Sequence, residues 1–282
     1  MKRQLASIFM LICATSILSA ASDCLPRHVE GAKRLYAYTA DSTTNTGSAV
    51  IVCPGGSYSW LDMKTEGIGV AQWLQSQGIN AFVLRYRVAN VSAYVFGYRI
   101  LGIGNRYPNM LTDVEEALEW VYTHAEEYKI DTASIGVMGF SAGGHLAMSS
   151  YLFNHTRYKP HFLCPIYPVV SMANAVSHKR SRRGALGVWG QFNYAMRDSL
   201  SLEKHMKRDC PPVFLVNCQD DPIVRYENSE LLDSALTAND VPHKYIQYKT
   251  GGHGFGASET KGTEESRQWK KEWLQWISNL NQ

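Results

Sequence analysis

SIGVMGFSAGGHLAMSSYLF, residues 134–153, holds the decisive part of the chain. Residues 134–140 form a short apolar run of the kind that makes a strand buried on both faces, and 142–153 read as a helix. Between them Gly139-Phe140-Ser141-Ala142-Gly143 matches G-x-S-x-G in its required setting, with a strand before and a helix after. Such a turn lifts a serine hydroxyl above the end of a sheet. Glycine on either side removes the Cβ atoms that would collide there. The bland alternative is a glycine-rich strand–helix turn with an idle serine, and partners for Ser141 elsewhere in the chain decide between the two.

Outward from this stretch, apolar runs alternate with amphipathic ones. Residues 49–53, 79–86, 162–167, 213–218 and 244–248 read as further strands. Helices are expected over 66–77, 109–125, around Leu231, Leu232, Ala235 and Leu236, and at the C-terminal end. There Trp269, Trp273, Trp276 and Leu280 would form the apolar face. Alternation of this kind specifies an α/β fold, a mostly parallel sheet covered by helices on both faces. One domain over residues 22–282 accounts for the pattern. Residues 88–108 and 171–198 read as irregular, and loops of that length in a compact domain usually carry function.

A serine hydroxyl needs a base within hydrogen-bond reach. Among nine histidines, His253 stands out in GGHGFG (251–256), a glycine-flanked tip after the last strand, and it comes last in the order serine, acid, histidine. His145, one turn past Ser141, reads as a packing or hydrogen-bonding residue. The acid should follow the strand at 213–218, where Asp220 and Asp221 are adjacent. Asp221, in an Asp-Pro step, is preferred for orienting the imidazole. Backbone N–H groups must face the developing oxyanion. Ala142 supplies one, and Gly56 and Ser57 of the loop Pro54-Gly55-Gly56-Ser57-Tyr58 supply the others. Tyr58, Trp60, Trp189 and Phe255 are candidate aromatics for a pocket or for stacking on sugar.

Together PGGSYSW, EGIGVAQWL, FVLRYRV, GFSAGGHLA, QDDPIVRYENSELLDSAL and GGHGFG resemble one branch of the α/β-hydrolases over residues 49–282. The branch comprises small bacterial esterases related to acetylxylan and feruloyl esterases and similar to the hormone-sensitive-lipase-like enzymes. The resemblance implies about eight strands, a Ser141–His253–Asp221 triad, no cofactor, and action on short acyl esters, often on carbohydrate. Two positions depart from the pattern: Ser57 replaces a third glycine, and Arg225 stands where many relatives have proline. A serine peptidase or a lactone hydrolase would share the geometry. The peptidases usually carry an extra domain, and the lactone hydrolases often use cysteine in place of Ser141. A non-catalytic binding protein on this scaffold would be expected to lack a triad member.

Composition narrows the partners. A formal net charge of +3 over 282 residues gives no general reason for nucleic-acid or membrane binding. The densest basic run, Lys179-Arg180-Ser181-Arg182-Arg183, reads as a solvated loop. Lys2 and Arg3, an apolar stretch from Leu5 to Leu18 and the small residues Ser19-Ala20-Ala21 have the layout of a secretory leader over residues 1–21. A secreted or periplasmic location is therefore expected. Lipid anchoring at Cys24 is disfavoured, because Asp23 precedes it where a small residue belongs. Cys53, Cys164 and Cys218 fall in apolar runs and read as small buried hydrophobes. No histidine or cysteine spacing suits a metal.

Overall fold

In the computed structural model, which describes residues 27–89 and 104–280, eight strands form one sheet. They are β1 (Arg27–His28), β2 (Leu35–Tyr38), β3 (Ala49–Cys53), β4 (Asn80–Leu84), β5 (Ile135–Phe140), β6 (Phe162–Ile166), β7 (Val213–Cys218) and β8 (His243–Tyr248), ordered β1-β2-β4-β3-β5-β6-β7-β8. From β4 to β8 every neighbouring pair is parallel, whereas β2 runs antiparallel to β4 and β1 to β2. The expected leader and Cys24 lie outside the described residues, as do residues 90–103 of the first irregular stretch.

The apolar strands are buried because both faces are covered. Ile51, Phe82 and Val137 point into one core, and Val50, Val83 and Met138 into the other, following the two-residue period of a strand. A single π-type turn (Met63–Ile68) leads into helix α1 (Gly69–Ser76). It is followed by α2 (Asn109–Thr123), α3 (Ala142–Leu152), α4 (Lys179–Gly190), α5 (Tyr194–Ser199), α6 (Glu227–Ala238), α7 (Glu264–Arg267) and α8 (Trp269–Leu280). Helices α2, α3 and α6 cover the first face, and α1 and α8 the second. None of the helices among the described residues is long and apolar enough to cross a membrane.

Three expectations change. The strand LYAY of β2 is too short to register as a period, yet it adds an antiparallel edge. The basic run 179–183 begins helix α4 instead of a loop, with Ser181 buried and Lys179 and Arg180 exposed. Its helical pattern is masked by glycines at 184, 187 and 190, and Gly187 sits at φ 78° in a kink. On α8 the buried stripe is Trp269, Trp273 and Ile277, an i, i+4, i+8 row; Trp276 is half-buried and Leu280 exposed. The expected burial of Cys53, Cys164 and Cys218 holds, and Cys210 joins them.

The second core is built around indoles. Trp73 lies edge-on to both Trp269 and Trp273, with ring centroids 5.1 and 5.5 Å away. Trp273 also donates its Nε1–H to Cys164 Sγ at 2.9 Å. Replacing Trp273 with Ala should cost about 3–5 kcal/mol. Urea unfolding followed by circular dichroism would show the midpoint falling with little change in slope.

Candidate active site

The turn at Ser141 has the strained geometry that the motif demands. Ser141 adopts φ 55°, ψ −118°, between the end of β5 and the first turn of α3. A Cβ at Gly139 would lie 2.0 Å from the Gly143 carbonyl oxygen, and one at Gly143 would lie 2.0 Å from that of Cys53. Only glycine lets β5, α3 and β3 approach this closely. The Ser141 N–H donates to the Ile166 carbonyl (3.0 Å), and its own carbonyl accepts from Gly144 and Val169, so the strained residue is held from both sides.

His253 donates Nδ1–H to Asp221 Oδ2 at 2.6 Å, with side chains only 12% and 1% exposed. That bond leaves the Nε2 lone pair available to accept a proton. The other carboxylate oxygen, Oδ1 of Asp221, accepts from the N–H groups of Ile223 and Val224 (2.8 and 2.9 Å). Asp220 has a different task. Its two oxygens accept from Gly251 and Gly252 N–H at 3.2 and 2.8 Å, anchoring the loop that carries His253. Arg225 pairs with Glu227 on the surface and leaves this arrangement intact.

The loop after β3 is fixed in an unusual conformation. Gly56 takes φ 135°, and Ser57 and Tyr58 both sit at φ 57°. A Cβ at Gly55 would be 2.9 Å from Ser141 Cβ, so the loop passes directly beside the nucleophile candidate. The Ala142 N–H, in the first turn of α3, has no intrahelical partner. From the other side α4 leans on the loop, and a Cβ at Gly184 would meet the Ser57 carbonyl oxygen at 2.2 Å.

Two buried groups hold these parts together. Glu66 is buried, and Oε2 accepts from the Gly55 N–H at 2.7 Å while Oε1 accepts from the Tyr167 hydroxyl at 2.8 Å. Tyr167 follows β6, its hydroxyl accepts from Gly256 N–H (3.0 Å), and its ring lies 4.6 Å from that of His253. One carboxylate thus links the loop after β3, the end of β6 and the histidine loop. Burial pushes the Glu66 carboxyl above its ordinary range, partly offset by the His253 charge and these hydrogen bonds. The second group is His145, buried on α3. Its Nε2–H donates to the Leu200 carbonyl and its Nδ1 accepts from the Tyr58 hydroxyl, both at 2.8 Å. His145 is therefore the packing and hydrogen-bonding residue expected from the sequence, and it also anchors the loop.

Of the four expected aromatics, Trp60 and Trp189 are exposed, at 46% and 68%, whereas Tyr58 and Phe255 are buried behind the site. Phe192 and Tyr194 add to the exposed aromatic surface beside Trp189. Three site residues escaped sequence reasoning: Tyr167, whose place just after β6 gives no sign of its bond to Glu66, and two others. Glu66 looks like an ordinary acid at a helix start. His178 precedes α4 in a stretch without periodicity, yet it lies within electrostatic reach of His253 and Asp221. Its pKa is pulled down to about 4 by burial, then by the charges of His253 and Arg180.

An eight-stranded, mostly parallel sheet with a serine elbow after β5 and an Asp–His pair at the ends of β7 and β8 defines the α/β-hydrolase class. The BD-FAE family model matches residues 35–236, and the chain belongs to that family. It is 32% identical to an acetylxylan esterase of Xylanibacter ruminicola over 75% of its own length, and it spans 42% of that relative. An acetyl ester-xyloside bifunctional hydrolase from Caldicellulosiruptor lactoaceticus superposes with a TM-score of 0.73 at 30% identity, over 88% of both chains. An α/β hydrolase from a Medee basin deep-sea metagenome shares the fold, with a TM-score of 0.62 at 20% identity over 87% of this chain and 91% of its own.

Two outcomes test the buried groups. Burial holds the His145 pKa down to about 4 against 6.5 when exposed, so the unfolded chain takes up this proton first as pH falls. The contribution from His145 should be full above about pH 6.5 and fall by roughly 3 kcal/mol as pH approaches 4. Urea unfolding between pH 7 and 4 should show His145→Gln removing that part of the acid sensitivity, with the share owed to His178 remaining. Glu66→Gln keeps one acceptor for two donors and should cost about 1–3 kcal/mol in the same assay.

Proposed function

We propose that the protein is a serine esterase that removes short acyl groups, acetyl above all, from carbohydrate of the xylan type. The observation that carries this is the 2.6 Å bond from His253 to Asp221, together with a serine held in the elbow conformation. The names of the similar acetylxylan esterase and acetyl ester-xyloside hydrolase support the substrate class. So do the exposed rings of Trp60, Trp189 and Tyr194, which offer faces on which sugars stack. The leader-like start of the sequence fits a polymer met outside the cytoplasm.

In this mechanism Ser141 Oγ attacks the ester carbonyl as His253 Nε2 takes its proton. Asp221 holds the ring and balances the imidazolium charge. N–H groups of Gly56, Ser57 and Ala142 stabilise the tetrahedral oxyanion. The C–O bond to the sugar then breaks, the sugar oxygen leaves with the proton from His253, and the acyl group stays on Ser141. Water, deprotonated by His253, attacks the acyl-enzyme. Acetate is released as the proton returns to Ser141.

Turnover of p-nitrophenyl acetate, butyrate and octanoate should fall in that order, and acetate should be released from acetylated xylan. Ser141→Ala should abolish both activities. Asp221→Asn should lower kcat/KM by about 10³–10⁴-fold. Asp220→Asn, which disturbs only the loop anchor, should cost about tenfold or less. Residual turnover in Ser141→Ala, or equal losses for the two aspartates, would contradict the assignment.

A further inference from the structure

We propose that a basic groove beside the oxyanion loop binds the carboxylates of uronic acid units in an acidic glycan chain. This rests on the carbohydrate-esterase function proposed above and adds a charge requirement to its substrate.

The groove has a volume of about 590 Å³, and its walls include Lys33, Arg34, Arg85 and Arg87 together with the rings of Tyr36 and Trp60. No aspartate or glutamate among the described residues lines it. Asp113, buried on α2, compensates part of this charge. It accepts from Arg87 Nε at 2.9 Å and lies 3.8 Å from Arg34 Nε, so one carboxylate serves two guanidinium groups. Asp113 and Glu116 line the neighbouring cavity of about 430 Å³, which shares Lys33, Arg34 and Arg87 as a wall, so negative charge stands behind the cations. Lys33 and Arg85 are exposed and have no carboxylate partner among the described residues. Cations gathered this closely repel one another, and an anionic ligand relieves that repulsion.

Topology places the groove where a substrate of Ser141 would extend. Arg85 and Arg87 follow the C-terminal end of β4, and Lys33 and Arg34 precede β2, whose Leu35 pairs with Leu84 at that same end. Ser141 follows β5, two strands from β4 in the order β4-β3-β5. Strands are about 4.8 Å apart, which puts the cations roughly 10–15 Å from the serine along the edge where open α/β sheets bind ligands. Ser59, Trp60 and Leu61, just past the oxyanion loop, form the connecting wall. A glycan with an acetyl ester at Ser141 would thus lay units a few sugars away across the groove. Guanidinium groups match carboxylates in charge and in planar geometry, and Trp60 offers a face for a sugar ring.

The test uses the full chain and one polymer in two forms: acetylated xylan bearing uronic acid side groups, and the same material after enzymatic removal of those groups. KM for acetate release should be roughly three- to tenfold lower on the uronic acid form, the size expected of a few exposed charge pairs. That advantage should vanish at high salt. Lys33→Gln/Arg85→Gln should bring the ratio of the two KM values close to one, with unchanged Tm showing an intact fold. Polygalacturonate should inhibit more strongly than polyglutamate or single-stranded DNA. Equal KM on both forms of the polymer in the wild type, or equal inhibition by all three polyanions, would overturn the groove assignment while leaving the esterase intact. Turnover of p-nitrophenyl acetate without acetate release from either form would instead remove the carbohydrate function on which the assignment rests.

Discussion

Three backbones meet at Ser141 with less room between them than any Cβ allows. Gly139 faces the carbonyl of Gly143, and Gly143 faces that of Cys53, each at a separation a side chain would close to 2.0 Å. This approach drives the left-handed turn at Ser141 and places the first turn of α3 over the ends of β3 and β5. It also brings the loop after β3 against the serine. Every other element of the site is arranged around that point, and the apolar strands on either side supply the burial that offsets the strain.

The surrounding polar groups are shared instead of duplicated. Glu66 gives one oxygen to the loop after β3 and the other, through Tyr167, to the loop of His253. Asp220 and Asp221, adjacent in sequence, divide the work: one holds the loop backbone and the other the imidazole. His145 ties Tyr58 to the segment at Leu200. A buried carboxyl or imidazole is tolerated only when hydrogen bonded, and here each one spans two or three chain segments. The site is consequently held firmly on the side of the loop after β3 and the histidine. The exposed aromatics sit on α4, on α5, in the turn between them and in the Trp60 turn.

Much of this was legible from the residues. The short continuous apolar runs located six of the eight strands, and glycine spacing around Ser141 and His253 marked both loops, because steric demands leave direct traces in sequence. The pairing of Asp221 with His253 also followed the expected chain order. Local pattern failed where tertiary contacts decide. LYAY becomes a strand only because Leu84 and its neighbours offer an edge. Residues 179–190 form a helix despite three glycines, one of which, Gly184, is required by its close approach to Ser57. Glu66 and His178 carry no local sign of their role, since their partners at 55, 167, 221 and 253 are distant in the chain. Tyr58 and Phe255 turned inward, Tyr58 bonded to His145 and Phe255 packed edge-on against Tyr167.

The central claim is that Ser141 carries the acyl group between two half-reactions. Rapid acid quench of the enzyme during turnover of p-nitrophenyl acetate, followed by peptide mass spectrometry, tests it directly. One acetyl group on the peptide containing Ser141, absent from Ser141→Ala and persisting longer in His253→Gln, is the predicted result. Turnover at full rate with no acetylated peptide at any quench time, or acetyl found only on another residue, would contradict it.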